Sequence, residues 1–322
     1  MSPTEMNAAS DTTLPSVSAV ICTRNRGDSI LSAVKSLLAN TYPDFELVII
    51  DQSSDDRTAR ALAPFANDTR LRYIHTSTQG VGLARSIGLN AARAELVAMT
   101  DDDCDVPSNW LERMVNALNQ HPCAAIVYCD VVAAPHDSAK GWILINVSPE
   151  SREITSLQAW NDAGGASAGI GAGMAVRRTA IQHIGNIDAH LGAGGHFRSG
   201  WETDITLRAL LHGYTIYRTN DVSVVHFGFR THEQGRTLMR RYMFGIAAVY
   251  IKLLKCGYWQ MLPVIFFEIW RTVIAPGVTA LLRRQKPPVL GRAIALIRGT
   301  LAGWQAPVDR RHAVYQMRRT TG

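Results

Sequence analysis

From residue 17 onward, short apolar runs alternate with amphipathic stretches. Residues 17–22 (VSAVIC) are apolar on both faces and bounded by polar positions, the pattern of a buried parallel strand. Ile30, Leu31, Val34, Leu37 and Leu38 then recur at helical spacing, with Asp28 as the predicted N-cap and Pro43 ending the region. Residues 45–50 (FELVII) predict a second strand closing on Asp51, and Asp55 or Asp56 can cap the helix that follows, through Leu62. A third strand is predicted at 71–75, a helix at 83–92, and a fourth strand at 96–99 that runs into Thr100, Asp101, Asp102 and Asp103. Further on, 111–118 and 203–212 read as helices, the latter closed by Gly213. Residues 124–132, 214–218 and 222–226 read as strands, and 163–173 and 192–200 as small-residue loops.

Strand–helix alternation at this rhythm predicts an α/β fold with a mostly parallel central sheet flanked by helices. Ligands of such sheets sit outside the carboxyl ends of the strands. Three polar groups fall there: residues 23–26 (TRNR), 51–54 (DQSS) and 101–103 (DDD).

Charge changes the picture at the far end of the chain. The net charge of +6 is unevenly held: residues 236–322 carry 15 Lys and Arg against two acids, Glu268 and Asp309, a local +13. The preceding 235 residues hold 18 basic and 25 acidic side chains, a local −7. The basic part is apolar in blocks at 242–251, 256–267 and 272–282, with Tyr, Trp, Phe and Leu interleaved among the cations. This predicts a C-terminal helical, basic-apolar extension over 236–322 that lies on an anionic membrane surface, the competing reading being helices packed on the catalytic domain with a solvated basic face. A span over 257–282 would have to bury Glu268 and Arg271, at about 2.5–3.5 kcal/mol each. Apolar blocks of this size have no place in a nucleic-acid groove, so nucleic acid is excluded as a partner. Residues 1–16 lack a basic n-region and an apolar h-region, and are expected to be a disordered arm. The domain boundaries expected are therefore 1–16, 17–235 and 236–322. Five cysteines, odd in number and without a CxxC pair, suit a reducing, cytoplasmic compartment and exclude a disulfide scaffold.

The candidate chemistry lies with the acids. Three consecutive aspartates at a strand end repel one another, and are either a solvated loop with helix-capping acids ahead of 110–118 or a cluster that a cation neutralises. Carboxylate oxygens suit Mg²⁺ or Mn²⁺, which bridge protein carboxylates to substrate phosphates. Asp51 is placed either to shape a strand-end turn or to accept a hydrogen bond from a nucleobase or ribose. Glu202 and Asp204 begin a helix, where acids favour the macrodipole; Glu202, following a glycine-rich loop, is also a candidate general base. His226 ends a strand and is either structural or a ligand. Gly169, Gly171 and Gly173 do not make a dinucleotide fingerprint, because Met174 stands where the third glycine is needed.

With these residues assembled, the chain resembles a family 2 glycosyltransferase with the nucleotide-sugar-binding GT-A fold, over residues 17–229. The segments that carry the resemblance are VSAVICTRNR, FELVIIDQSSDD, GVGLARSIGLNAARAELVAMTDDDC, GMAVRRTAIQHIG and GWETDITLRALLHGYTIY. It implies that Thr23, Arg24 and Asp51 contact the nucleotide, and that Arg85 lies near the phosphates. Asp101 and Asp103 match a DxD motif around Asp102, with Asp103 the direct metal ligand and Asp101 nearer ribose and metal. Glu202 stands at the catalytic acid of the family's "ED" motif, Asp204 at the acid that follows, and His226 where some relatives close the metal site. Departures from the family pattern are Gln52, Ser86 and Trp201, which replace a frequent Asp, Asn and Glu, and the extra methylene of Glu202 itself. The implied activity is metal-dependent, inverting sugar transfer from a nucleotide diphosphate sugar to a saccharide or lipid-linked hydroxyl acceptor. That activity fits cell-surface polysaccharide or glycolipid assembly at the cytoplasmic face of the membrane. A nucleotidyltransferase would need a glycine-rich basic loop after the first strand, which TRNRGD does not supply. A non-catalytic sugar-nucleotide-binding scaffold is opposed by the intact Asp101, Asp103 and Glu202.

Overall fold

A computed structural model describes residues 14–165, 169–284 and 289–316. Most of the expected disordered arm, residues 1–13, lies outside the described residues, as do 166–168, 285–288 and 317–322. The chain begins with β1 (Val17–Thr23), a 3₁₀ turn, α1 (Leu31–Leu38), β2 (Phe45–Asp51), α2 (Arg57–Leu62), β3 (Leu71–His75) and α3 (Val81–Ala91). It continues through β4 (Leu96–Asp101), β5 (Cys104–Asp105), α4 (Trp110–Gln120), β6 (Ala124–Ala133), β7 (Gly141–Ile143), β8 (Arg152–Ile154) and α5 (Leu157–Asp162). Then come β9 (Met174–Arg177), α6 (Arg178–His183), α7 (Trp201–Leu211), β10 (Thr215–His226), β11 (Phe229–Thr231) and α8 (His232–Lys255). The C-terminal part holds α9 (Leu262–Ile269), α10 (Ala275–Leu282), α11 (Leu290–Gln305) and the hairpin β12 (Val308–Asp309) and β13 (Val314–Tyr315).

The main sheet runs β3-β2-β1-β4-β9-β6-β10-β5, with β8 on the far half of β10. Strands β1 to β4 pair in parallel, as do β6 and β10, while β9 runs antiparallel between β4 and β6. The register sets Thr23 opposite Asp51 and Cys22 opposite Asp101, so the polar strand ends share one edge. Alternate side chains enter two cores. Val20, Val48, Val97 and Met99 pack under α3, α7 and α8, while Ala19, Ile21, Ile49 and Ala98 pack under α1 and α4.

Two sequence expectations are corrected. The strands expected at 214–218 and 222–226 are one strand, β10, with an irregularity after Arg218 that absorbs the polar residues between them. The helix after β1 opens as a 3₁₀ turn without a side-chain cap from Asp28, and Asp55 bonds the backbone N–H of Arg57 while Asp56 provides no side-chain cap.

The C-terminal helices are continuous with the catalytic core. Helix α8 opens on a capping box between Thr231 and Gln234 and sends Ile246, Ala248, Val249 and Leu253 into the core beside α7. Helix α11 lies along α8 through a seam of small residues: a side chain at Gly299 would strike the Phe244 carbonyl, and one at Gly303 would strike Ile251. The opposite face of α11 exposes Leu290, Ile294, Ile297, Leu301 and Trp304, a stripe at helical spacing.

Between α7 and α8 sits a fully buried cluster of four charges. Lys252 Nζ lies 2.7 Å from both Asp188 Oδ2 and Asp204 Oδ1. Asp204 Oδ2 accepts from Arg208 at 2.7 and 3.0 Å, and Arg208 also donates to the carbonyls of Ile184 and Asn186. Asp188 further accepts the backbone N–H groups of Tyr315 and His190. Buried charges persist only when paired and hydrogen-bonded, and here two acids meet two bases. Lys252→Met leaves Asp188 and Asp204 short of a counter-charge. The expected loss is about 3–5 kcal/mol of unfolding free energy in urea titration, against less than about 1 kcal/mol for an exposed control such as Arg60→Met.

Candidate active site

The loop after β1 doubles back because Asn25 takes a left-handed backbone conformation (φ 56°), held by the Ser53 hydroxyl on its N–H. That turn returns Arg26 over the aspartates: its guanidinium lies 3.3 Å from Asp102 and 2.9 Å from Asp103. Thr23 donates its hydroxyl to Asp102 at 2.7 Å. Asp102 is thus turned inward toward β1, and burial pushes its carboxyl up to about 6 despite the Arg26 charge and the Thr23 hydrogen bond.

Asp101 and Asp103 point the other way. A turn at 102–103 brings their oxygens together with Cys104 and His226, one ligand atom from each lying within 4.8 Å of the others. Strand β5 causes this convergence: Cys104 registers against His226, and the Phe227 N–H donates to the Asp103 carbonyl at 2.9 Å. His226 Nδ1 donates to the Leu144 carbonyl at 2.9 Å, which leaves Nε2 facing Asp103 at 3.4 Å. Burial alone would raise the Asp103 carboxyl, but the hydrogen bond and charge of His226, with Arg26 and Arg230, hold it below the usual range. Burial likewise opposes a charged His226, and Asp103 nonetheless raises it. Burial pushes the Cys104 thiol up, and a soft sulfur suits a hard Mg²⁺ or Mn²⁺ less well than the carboxylate oxygens beside it. Two carboxylates and an imidazole whose second nitrogen is fixed by a carbonyl form a donor set that fits a divalent cation.

Helix α7 brings Glu202 to the same edge. Gly200, in a left-handed conformation (φ 92°), turns the chain into the helix. Glu202 is partly buried, and the 3₁₀ turn at Gly171–Gly173 lies against it: a side chain at Gly171 would strike the Trp201 ring and come within 3.3 Å of Glu202 Oε1. Burial pushes the Glu202 carboxyl up to about 7; the backbone N–H groups of Glu202 and Gly171 and the Arg85 charge oppose this, and the Asp101 charge adds to it.

Several expected site residues are placed differently. Arg85, expected beside the phosphates, is fully buried behind Asp101. It donates to Asp101, to the Thr100 carbonyl at 2.8 Å and to the Val20 carbonyl at 3.4 Å, and stacks 5.6 Å from the Trp201 ring. It therefore ties the β4 end to the start of α7. Asp51, expected on the nucleobase or ribose, is fully buried, accepting from Tyr73 Oη at 2.7 Å and the Ser53 N–H at 2.8 Å. It shapes the 51–54 turn. Asp204, expected beside Glu202, faces the buried cluster on the opposite side of α7. Arg24 is exposed at the edge. Arg26 was not expected. The signal for it was an alternating basic pair, Arg24 and Arg26, in a loop ending the first strand.

The fold and site together define an α/β protein with carboxylates and a histidine gathered at one sheet edge, beside the partly buried Glu202. The glycosyl transferase family 2 model matches residues 18–185, 168 of the 322, and the chain belongs to that family. Glucosyl-dolichyl phosphate glucuronosyltransferase of Haloferax volcanii is 31% identical over 119 residues, 36% of this chain and 38% of that protein. Succinoglycan biosynthesis protein ExoO of Rhizobium meliloti is 35% identical over 111 residues, 34% of this chain and 32% of that protein. The matches thus span about a third of these relatives' length. Among solved structures, the mannosyltransferase PcManGT from Pyrobaculum calidifontis, in complex with GDP-Man and Mn²⁺, superposes with TM-score 0.60 at 19% identity, covering 90% of this chain and 74% of that one. S. aureus TarS 1–349 in complex with UDP-GlcNAc gives 0.55 at 17% identity, over 73% and 66%. The GT-A-type fold expected from the sequence is the fold observed.

The raised Glu202 carboxyl has a stability consequence. A group whose folded pKa exceeds its unfolded value is best accommodated while protonated, below about pH 4.5, and that advantage is lost as pH rises through about 7. Glu202→Gln is therefore expected to be more stable than the parent by about 3 kcal/mol at pH 8, the difference shrinking toward zero below about pH 4. Paired urea titrations at the two pH values measure it.

Proposed function

We propose that the chain is an inverting, metal-dependent glycosyltransferase that moves a sugar from a nucleotide diphosphate sugar to a hydroxyl acceptor in cell-surface polysaccharide or glycolipid assembly. One observation carries the reading: the partly buried acid Glu202 and the Asp101, Asp103 and His226 group stand at one sheet edge, with Arg85 bridging Asp101 to the neighbouring Trp201. The donor class is supported by the solved structures of similar fold, which hold GDP-Man and UDP-GlcNAc, one of them with Mn²⁺. The pathway class is supported by relatives named for succinoglycan biosynthesis and for a dolichyl phosphate-linked sugar.

Asp101, Asp103 and His226 would hold the cation. When bound, it offsets the negative charge that develops on the departing diphosphate. Thr23 and Arg24 line the nucleotide end of the edge, and Arg26 is close enough to exchange Asp103 for a phosphate oxygen. Glu202 accepts the acceptor hydroxyl proton as that oxygen bonds the anomeric carbon. The bond from that carbon to the diphosphate oxygen breaks, its electron pair leaving with the nucleoside diphosphate. Attack from the face opposite the leaving group inverts the anomeric centre. A Glu202 carboxyl near 7 is half ionised at neutral pH, which suits a base.

The acceptor reading involves the C-terminal helices. Residues 259–282 form one continuous helical segment, long and apolar enough to cross a membrane by length and composition, with only 17% of its most apolar window buried. Near its middle, however, Glu268 is buried against the catalytic unit near Gly165 and paired with Arg271 at 2.9 Å. A segment docked at its midpoint favours lying on the bilayer over crossing it. Phe266, Trp270, Leu281 and the α11 stripe face outward together with the excess of Arg and Lys.

Two experiments test the reading. Glu202→Gln is expected to bind nucleotide sugar normally and to lose about 10²–10⁴-fold in turnover, with parent activity abolished by excess chelator. Parent-like turnover in Glu202→Gln removes the base, and full activity in chelator removes the metal. The full chain is also expected to sediment with vesicles containing anionic lipid at low salt, and Leu301→Glu with Trp304→Glu to abolish this. A parent chain that stays in the supernatant refutes the membrane surface.

A further inference from the structure

Arg26 stands apart among the residues of the carboxylate edge. Its Nη2 donates to Asp103 Oδ2 at 2.9 Å, and its Nε lies 3.3 Å from Asp102 Oδ1. The other Asp103 oxygen, Oδ1, faces His226 Nε2 at 3.4 Å. Both oxygens of Asp103 thus have protein partners, but of opposite kinds. The His226 ring is held through Nδ1 on the Leu144 carbonyl, so Nε2 can offer a lone pair and share a cation with the carboxylate beside it. A guanidinium has only donors and a positive charge, so Arg26 competes with a divalent cation for Asp103 Oδ2. Gly228 leaves these ligand atoms uncovered: a side chain there would come within 2.5 Å of His226 Nε2 and 3.2 Å of Asp103 Oδ2.

The cations around this edge differ in their freedom to move. Arg85 is fully buried behind Asp101 and fixed by the Thr100 and Val20 carbonyls. Arg230 acts on Asp103 through its charge, with its Nη1 on the Gly228 carbonyl at 2.8 Å. The Arg26 side chain is 45% exposed, against 9% for Asp102 and 17% for Asp103, so it covers the two acids from the solvent side. Its backbone is anchored next door, where the Asn25 N–H donates to Ser53 Oγ and the Asn25 side chain accepts the Ser54 N–H at 3.0 Å. The guanidinium can therefore turn away while the loop stays in place, and Asp102 keeps its Thr23 hydrogen bond. The same guanidinium fork matches the oxygens of a phosphate.

We propose that Arg26 is an exchangeable counter-ion: it competes with the divalent cation for Asp103, and on cation binding it passes to the diphosphate of the nucleotide donor. The proposal rests on the transfer reading above, and adds that one residue opposes the first ligand and favours the second. The exchange leaves Asp103 to the cation and sets a guanidinium where the leaving group gathers negative charge. Cation alone is then held weakly, and the donor completes the loading of the edge.

Two titrations of the full chain test the two halves of the exchange, in opposite directions. In the first, Mn²⁺ alone is added and the free ion followed by electron paramagnetic resonance. Arg26→Gln is expected to bind Mn²⁺ about tenfold more tightly than the parent. Arg26→Lys, which keeps the charge, and Arg60→Gln, an exposed control for the loss of one charge, are expected to bind it like the parent. In the second, UDP, GDP, CDP, ADP and dTDP are titrated calorimetrically at saturating Mn²⁺. Whichever of them the parent binds, Arg26→Gln is expected to bind about tenfold more weakly. A guanidinium that only braced the edge would weaken both ligands on removal, and one that only bound phosphate would weaken the nucleotide alone. Shifts of the same sign, a shift in one titration only, or an equal Mn²⁺ gain in Arg60→Gln overturns the exchange. A chain that transfers sugar without the opposite shifts loses the exchange alone. One that shows them but turns over no nucleotide sugar keeps the exchange and loses the transfer reading.

Discussion

The contact between Lys252 and the two aspartates it neutralises is the constraint from which the arrangement of the molecule follows. Lys252 belongs to α8, Asp204 to α7, and Asp188 to the loop that Tyr315 closes from the chain's far end. None of these groups has solvent to fall back on. Each charge is therefore tolerable only while all three segments are in place. Helix α7, which carries Glu202 on its opposite face, cannot take its position without α8. The C-terminal helices are thus part of what holds the catalytic acid, although by composition they look like an appendix.

A second constraint acts at the sheet edge. Parallel register sets Thr23, Asp51 and Asp101 side by side, and β5 adds Asp103 and His226. Four carboxyls this close cannot all remain exposed and charged. The structure divides them: Asp51 and Asp102 turn inward onto hydroxyls, a backbone N–H and Arg26, and Asp101 and Asp103 turn outward with His226. Arg85 compensates from behind without using the cleft, through its backbone carbonyl partners and Asp101.

This division explains what was legible in the sequence. Strands β1, β2 and β4 are buried on both faces and read as plain apolar runs, so their ends, and the residues on those ends, could be located. The orientation of each side chain could not. Asp51, Arg85 and Asp204 lie at the expected stations, yet face the interior, because their partners Tyr73, Val20 and Lys252 come from distant sequence. Arg26 went unrecognised because its role depends on the left-handed turn at Asn25. Lys252 stood three positions before Lys255 among apolar residues, and nothing in the pattern separated the buried cation from its partly exposed neighbour. The single strand β10 was divided in two by the polar residues of its irregular middle, and the same irregularity hid the register between Arg152 and Arg218.

The charge partition joins these points. The catalytic part is acidic because its edge gathers carboxylates that a cation can use, and the C-terminal part is basic on an outward apolar face. Lys252 is a basic residue of the C-terminal part turned inward, neutralising two acids of the catalytic part. Arg218 is the converse, a basic residue inside the acidic part that stands opposite Arg152 across β8 and β10 and pairs with Asp130. Charges that exist for folding are balanced within their cluster, as Lys252 and Arg208 are by Asp188 and Asp204. At the sheet edge the pairing is of another kind: Asp101 is held from behind by Arg85, and Asp103 by Arg26 and His226, so each carboxylate keeps a side toward the cleft while its charge is offset from the protein.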